Sequence, residues 1–525
     1  MKKIILTLFF FHLPLLLPHN IQQVAKAQVN LQWARQYNGP TSSDDAAQAI
    51  TIDDSGNVYI TGSSNVLGTV YDYATVKYSP SGETLWVRRF HQGINFNGGR
   101  DIIVDESYNV YVTGSPVTIK YDRDGNILWV FDNNADVRKM TRDNQGNLYI
   151  TGTSSENFVT FKLNSNGILI WTSTYNGPAN GIDRAQNLVL DNSNNIIVTG
   201  WSQGSGTLYD YATIKYTSFG GTVWVRRYNG PHPSYPHDFG EAVAVDDIGN
   251  VFVTGYSIGT NGSSDYLTIK YDAAGNSIWE ARYDIHGDAG YDISVDRAGN
   301  IFVTGVTTVY DYTTLKYNNS GNLIWAQTIP GTDFPPLPAM VLDTLGNVYV
   351  AASRQRDDWA DFIIVKYNNN GIQQWITQYP GFGIGFHYSN DIIIDRNGIV
   401  YVTGQGYGSG FYDYHTVKYS QIVGIQTISI EIPADFSLSQ NYPNPFNPST
   451  VIRYRLPVNS FVILKIYDIL GREVANLVNG EFKAGTYEIK WDGNDLMNQM
   501  STSGIYFYRL TAGDYTESKK MILLR

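Results

Sequence analysis

The stretch DDSGNVYITG, Asp53 to Gly62, is followed after a looser segment by YDYATVKYSPSGETLW, Tyr71 to Trp86. Apolar and polar residues alternate with the period of two that marks strands, and the Gly-Asn and Ser-Gly pairs supply the positive φ of tight hairpins. Four strands are predicted here: Gln48 to Asp53, Asn57 to Thr61, Ala74 to Tyr78 and Thr84 to Phe90. The pattern returns as Asp105 to Gly114 with Lys120, Tyr121 and Trp129, as Asp143 to Gly152 with Lys162 and Trp171, and as Asp191 to Gly200 with Lys215, Tyr216 and Trp224. Further copies begin at Asp246, Asp296, Asp343 and Asp395, making eight. The anchors Gly62, Gly114, Gly152, Gly200, Gly255, Gly305, Ala352 and Gly404 stand 38 to 55 residues apart, which is propeller-blade spacing.

A chain of 525 residues would ordinarily divide at about 150 residues per domain, but repeats share one continuous core and set their own count. Fifty glycines, 39 tyrosines and only 16% charged residues fit short strands and tight turns rather than amphipathic helices. The net charge of -11, with no Lys/Arg cluster, weighs against nucleic acid or an anionic membrane as partner. With no cysteine, disulfides, thiolate catalysis and Cys-ligated metals are excluded.

Residues 1–27 read as a secretory signal peptide: Lys2 and Lys3, an apolar run from Ile4 to Leu17, and the small-residue site Ala25-Lys26-Ala27. The alternative, an uncleaved anchor, requires a longer run than one broken by His12 and Pro14. No later stretch is long and apolar enough to span a bilayer as a helix. The eighth copy stops after Lys418-Tyr419 without its Trp strand, whereas the mature N-terminus supplies an orphan one, LQWARQYNGP from Leu31, matching WVRRYNGP from Trp224. That strand is expected to complete the last blade and remove two raw sheet edges.

On its recurring Asp-x-x-Gly-Asn-x-Tyr-x-Thr-Gly core, the chain from about 31 to 420 resembles the bacterial SBBP β-propeller repeat family, which is named for seven blades where this chain counts eight. After an irregular linker at 421–436, the segment from 437 to 525 carries NYPNPFNPST from Asn441, IYDILGREV from Ile466, GIYFYRL from Gly504 and KKMILL from Lys519. It resembles the type A C-terminal sorting domain of the type IX secretion system. That resemblance implies passage across the outer membrane of a Gram-negative bacterium, with the secretion machinery as a partner. The expected architecture is all-β: an eight-bladed β-propeller at 28–420 with the N-terminal strand closing the last blade, then a small C-terminal Ig-like β-sandwich.

Each turn aspartate (53, 105, 143, 191, 246, 296, 343, 395) offers one carboxylate where calcium needs several converging oxygens, so it is expected to accept backbone N–H bonds in its own turn. The repeated lysines (77, 120, 162, 215, 270, 316, 366, 418) are expected to run along the sheet towards a polar group at the turn face, since a buried ammonium needs a partner. Tyr-Asp-Tyr opens strand 3 at 71–73, 209–211, 310–312 and 412–414 and is missing from copies two and three. Only unrepeated residues can mark a singular site, and Tyr235, His237, Trp359, His387, Tyr388 and Tyr407 are assigned to variable loops opposite the turns. No nucleophile elbow, metal-binding His-Glu-x-x-His run or phosphate loop assigns a reaction, a metal or a cofactor. The expected role is recognition of an extracellular glycan, protein or surface component by a secreted or surface-held propeller. A polymer-degrading glycosidase or lyase using loop-face carboxylates, or a purely structural surface protein, are the alternatives.

Overall fold

The structure is a computed structural model that describes residues 28–524 except 42, 67–69, 92–97, 286, 308–309, 333–335, 357, 409, 423–424, 430–431, 492 and 494–500. The segment read as a signal peptide lies outside the described residues. Every regular element among the described residues is a strand, arranged in ten four-stranded antiparallel sheets. The chain divides into two compact units, Ala27–Val423 with 494–501, and 424–493 with 502–525.

In the larger unit, eight sheets follow one another in chain order. The first contains Asp45–Ile52, Val58–Val66, Val70–Tyr78 and Thr84–Phe90, and pairs them in that order. The eighth is His387–Ile394, Val400–Tyr407 and Tyr412–Ile422, with Gln28–Tyr37 added as its outer strand. Trp33 there pairs with Lys418, as Trp86 pairs with Lys77 in the first sheet, so the N-terminal strand enters in the register of a repeat. The third copy, which follows the second at the shortest step, is a complete sheet. The short step from Gly114 to Gly152 comes from the second sheet, whose middle strands are joined through Pro116 alone, while the third joins its own through Ser155 and Glu156, at φ 48° and 66°, the left-handed pair of a tight hairpin.

The anchor glycines have a steric cause. Strand 1 carries a bulge, such as that between Ala47 and Ala49, which brings its backbone onto strand 2, and a Cβ at Gly62 would stand 2.0 Å from the Ala46 carbonyl. The seventh sheet tolerates Ala352 because its short inner strand, Ala339–Leu342, begins opposite Ala351 and never reaches that position.

Consecutive sheets bury apolar faces against each other. Phe302, Tyr312 and Trp325 of the sixth pack with Val348, Val350, Ile363 and Val365 of the seventh. Trp33 and Tyr414 of the eighth pack with Val58, Ile60 and Ala74 of the first. A polar clasp accompanies each apolar face. Lys77 Nζ and Trp86 Nε1 of the first sheet both donate to the Arg123 carbonyl in the strand 3–4 hairpin of the second, at 3.0 and 3.2 Å. The same pair recurs at Ser165, Ser218, Ala273, Asn319 and Asn369. Lys418 and Trp33 of the eighth sheet close on Pro80 of the first, at 2.8 and 3.0 Å.

One clasp is built differently. The eighth sheet has no strand 3–4 hairpin, because its fourth strand comes from the other end of the chain. Lys366 and Trp375 therefore donate to the side-chain oxygen of Gln421, at 2.9 and 3.2 Å, while the Gln421 amide donates to the Tyr349 hydroxyl and the Gly398 carbonyl. The irregular linker expected at 421–436 is corrected accordingly. Gln421 and Ile422 end a strand of the larger unit, and Ile425–Ser429 pairs with Gly485–Trp491 in the smaller one. Local alternation fades there because these strands belong to two different sheets.

The smaller unit has two four-stranded sheets. One orders Ile425–Ser429, Gly485–Trp491, Thr450–Leu456 and Ser437–Leu438, and the other Glu473–Phe482, Ser460–Tyr467, Gly504–Ala512 and Tyr515–Leu523. Alternation of buried and open positions, as in Ile452, Tyr454 and Leu456 or Val462, Leu464 and Ile466, gives each sheet one apolar face.

Two outcomes are expected. Deleting Gln28–Tyr37 lowers the melting temperature sharply, because it bares an edge of the eighth sheet and removes the Trp33 clasp; an unchanged melting curve overturns the role given to that strand. Gln421→Ala removes the acceptor shared by Lys366 and Trp375, leaving the buried Lys366 ammonium only Asp343 at 3.9 Å, and costs about 1–3 kcal/mol in denaturant unfolding, while alanine at the half-buried Gln374, whose amide reaches only the nearby Ile372 carbonyl, changes little.

Candidate functional site

The ends of the strands define two faces of very different chemistry. At one lie the aspartate turns. Asp53 Oδ1 accepts the backbone N–H groups of Ser55 and Asn57, both at 2.9 Å, and Oδ2 accepts the Asn57 amide and the Tyr59 hydroxyl at 2.8 Å. The other turn aspartates repeat the backbone bonds, with Asp395 using Ile399 where the rest use Asn. These carboxylates are engaged within their turns, as the spacing predicted. Seven of the eight lysines run over a strand 2 aromatic ring, Lys77 Nζ lying 5.0 Å from the Tyr59 centroid, and burial lowers the pKa of these seven; Lys215 faces Ile197 instead and pairs with Asp191 at 2.8 Å.

The opposite face carries the unrepeated residues in two groups. Tyr235 and His237 lie at the fifth sheet, their rings 4.3 Å apart, and His237 also meets Tyr209 and Phe239. Trp359, Tyr388 and Tyr407 belong to a second group on the seventh and eighth sheets. There Trp359 meets Phe386, Phe386 stacks on Tyr388, Tyr388 stacks on Tyr412, and Tyr412 meets Tyr407, at centroid distances of 5.6, 5.9, 6.3 and 5.5 Å. All five rings are partly open to solvent.

The assignment to loops holds for Tyr235 and His237 and is corrected for the rest. Trp359, His387, Tyr388 and Tyr407 are terminal residues of strands, because the strands of the seventh and eighth sheets run further towards this face than hydrophobic alternation alone implies. His387 is also corrected as a surface residue, since it is fully buried. It replaces the aspartate that begins strand 1 elsewhere (Asp45, Asp183, Asp238), and its ring lies 5.1 Å from that of His415, which replaces an alanine. Gly406 between them makes room: a Cβ there would stand 2.3 Å from His387 and 2.4 Å from His415. Among the described residues neither nitrogen of His415 has a hydrogen-bond partner, and His387 has one only through Nε2, with Gly383. Burial lowers the pKa of both, that of His415 to about 3, with each imidazolium also opposed by charge nearby: His387 at His415 and Arg356 at His387, against Asp361.

Beside Tyr412 a cleft of about 660 Å³ opens at the same face, a size within the roughly 300–1,000 Å³ typical of small-molecule sites. Its lining comes from four sheets: Asp44, Gln48 and Tyr71 from the first, Arg100 and Ser115 from the second, Asp136 from the third, and Gln405 and Tyr412 from the eighth. It lies where the face is lowest. The second sheet joins strands 2 and 3 through Pro116 alone and the third through two residues, so neither raises a loop beside the cleft. No sequence motif names these residues. The signal that was present is the missing Tyr-Asp-Tyr segment in copies two and three.

The inner strands add a polar ring below this face. Asp391, Asp101 and Asp292 each accept a backbone N–H from the next sheet, those of Ile50, Met140 and Met340, at 2.9, 2.9 and 2.8 Å. Burial pushes Asp292 and Asp391 up to about 6, and Glu241 up to about 8. Among the described residues no cluster of His, Asp and Glu has the makings of a metal site.

Residues 32–68 and 223–263 match the beta-propeller repeat family SBBP, and residues 440–524 match the secretion system C-terminal sorting domain. The chain carries propeller repeats and a sorting tail. The sorting domain indicates secretion or a cell-surface location, and no helix among the described residues is long and apolar enough to cross a membrane. Among solved structures, Sqt1 from Chaetomium thermophilum shares the fold at a TM-score of 0.50 and 10% identity, over 75% of this chain and 99% of that one. PorZ, a surface component of the type IX secretion system of Porphyromonas gingivalis, aligns at a TM-score of 0.32 and 12% identity, over 91% of this chain and 81% of that one. An uncharacterized WD repeat-containing protein of Acanthamoeba polyphaga mimivirus is 24% identical over 165 residues, 28% of this chain; the match spans only 11% of that relative's length.

The buried imidazole pair makes stability pH-dependent. Both folded-state pKa values lie below the ordinary value of about 6.5, so the contribution is complete above that pH and is lost as pH falls from 6.5 towards 3. The melting temperature is expected to drop between pH 7 and 4.5, and the drop to be smaller in His415→Ala. An identical slope in the variant overturns this account.

Proposed function

We propose that the eight sheets of residues 28–420 form an eight-bladed β-propeller whose loop face binds an extracellular glycan, protein or surface component. The return of the Lys-Trp clasp and of apolar packing from the eighth sheet to the first supports ring closure. In this reading residues 1–27 are a cleaved signal peptide, and the two sheets of the tail form an Ig-like sandwich that engages the type IX machinery.

The observation that carries the binding reading is the run of rings from Trp359 to Tyr412, which ends at the wall of the 660 Å³ cleft. Half-open aromatic rings beside Gln, Ser, Asp and Arg side chains suit sugars and extended peptides, which offer flat faces and many hydrogen-bonding groups. The turn face repeats nearly the same hairpin eight times and gives little to distinguish one ligand from another. An enzyme would need a carboxylate set apart from the repeat. Asp45 at the cleft has a pKa raised by burial, but its bond from the Gly39 N–H is copied by Asp183 with Gly177 and by Asp238 with Gly230, which favours a structural role.

A glycan and peptide array run on residues 28–423 tests the reading. For any ligand found, alanine at Trp359 or Tyr388 is expected to weaken binding tenfold or more, while alanine at Lys270 or Asp296 lowers the melting temperature first. Loss of binding through the turn-face pair with folding intact reverses the assignment of faces. Truncation after Val423 is expected to leave the propeller folded but held in the periplasm, and its appearance at the cell surface would contradict the role given to the tail.

A further inference from the structure

Each clasp brings a lysine onto an amide oxygen, and at seven of them that oxygen belongs to the main chain. The clasp of Lys366 uses a side-chain amide instead, that of Gln421, whose nitrogen can leave without breaking the chain. The groups around it are placed as transfer of an acyl group to an amine requires. Lys366 Nζ lies 2.9 Å from Gln421 Oε1, 4.7 Å from the centroid of the Tyr349 ring and 3.9 Å from Asp343 Oδ2. Trp375 Nε1 donates to the same Oε1 at 3.2 Å, the atom on which negative charge develops when an amine adds to the amide. The Tyr349 hydroxyl donates to Asp343 Oδ2 at 3.1 Å and accepts from Gln421 Nε2 at 3.1 Å, so it joins the carboxylate to the amide nitrogen. Burial lowers the Lys366 pKa, with Asp343 opposing, and so favours the neutral, nucleophilic amine.

We infer that Lys366 and Gln421 become joined by an isopeptide bond that the folded protein forms by itself. Asp343 takes a proton from the Lys366 ammonium, and the freed Nζ lone pair forms a bond to Gln421 Cδ while the carbonyl electrons move to Oε1. The carbonyl then re-forms as the Cδ–Nε2 bond breaks. Nε2 takes a proton from the Tyr349 hydroxyl, which recovers one from Asp343, and Asp343 accepts the second proton lost by Nζ. The products are a secondary amide and one ammonia, with the last proton left on Asp343 and passed to water. No oxidant, reductant or co-reactant is consumed. Lys270 and Lys316 also touch side-chain amides, those of Asn319 and Asn369, but there the indoles of Trp279 and Trp325 donate to main-chain carbonyls, and neither lysine has an ion pair among the described residues. The bond ties the last strand of the larger unit to the seventh sheet, just before the chain enters the smaller unit at Ile425. The eighth sheet is the one assembled from both ends of the chain, and its last strand gains a covalent hold there.

The test is mass spectrometry of the purified mature chain under denaturing conditions, followed by a tryptic map. The chain is expected to weigh one ammonia less than its sequence, and Lys366 to resist trypsin and appear in a branched peptide with Gln421. Cyclisation of an N-terminal Gln28 releases the same mass, so the branched peptide is the deciding readout. Asp343→Asn, which removes the proton acceptor, and Tyr349→Phe, which keeps the ring under Lys366 but removes the relay, are each expected to cut the cross-linked fraction by about tenfold or more while unfolding stays cooperative. Cleavage at Lys366 in the wild-type protein, with Gln421 in an unbranched peptide, overturns the inference. So does a branched peptide at Lys270 or Lys316 in place of Lys366. The wild-type map decides the bond whether or not either variant folds, and full cross-linking in both folded variants overturns the roles given to Asp343 and Tyr349.

Discussion

The shared acceptor between neighbouring sheets is the constraint on which the rest of the larger unit depends. A lysine on strand 3 is buried between two sheets and needs an oxygen, and the tryptophan paired with it on strand 4 needs one for its ring N–H. A single carbonyl of the adjoining hairpin, such as that of Arg123, serves both. This converts two desolvation costs into one directional contact and sets each sheet at a fixed offset from the next. It also explains why Lys, Trp and the hairpin glycine recur together. Gly125, at φ 82°, brings the acceptor hairpin so close to Trp86 that a Cβ would stand 3.0 Å from its ring.

That constraint leaves the far ends of the strands free to vary. Where strands 2 and 3 are joined by long segments, aromatic residues collect, as at Tyr209 and Tyr412. In the second and third sheets strand 2 ends at Ser115 and Ser154, just past its anchor glycine, and there the face is low and a cleft opens beside it. The eighth sheet shows how far substitution goes when the clasp is kept. Asp becomes His387, Ala becomes His415, Ser becomes Gly406 and Arg becomes Gln36, which still donates to Asp413, while Lys418 and Trp33 stay in place.

Two readings drawn from sequence needed tertiary context. A formal charge of -11 speaks to the field at a distance and weighs against long polyanions, yet it does not show that Asp44, Asp45, Asp136 and Arg100, from three different sheets, line one cleft. His387 looked like a loop residue available for contact because polar residues outside a periodic run ordinarily face solvent. Its partner His415 lies 28 positions later, and only the pairing of both strands with Val400–Tyr407 brings the two rings together under cover.

The sequence by itself determined the eight strand groups, the turn aspartates, the partner strand of the N-terminus and the sorting tail. These follow from short-range rules repeated eight times: period-two alternation, hairpin chemistry, and a Trp strand missing at one end and spare at the other. Only the tertiary structure decided which unrepeated residues share a surface. The ring run from Trp359 to Tyr412 and the cleft between Arg100, Asp44 and Gln405 draw on residues up to several hundred positions apart, and no local rule encodes which strand ends stand side by side. Gln421 shows the difference most directly. In sequence it begins a fading tail, and in the fold it is the oxygen that Lys366 and Trp375 require, because a fourth strand supplied from the other terminus leaves no hairpin there to provide one.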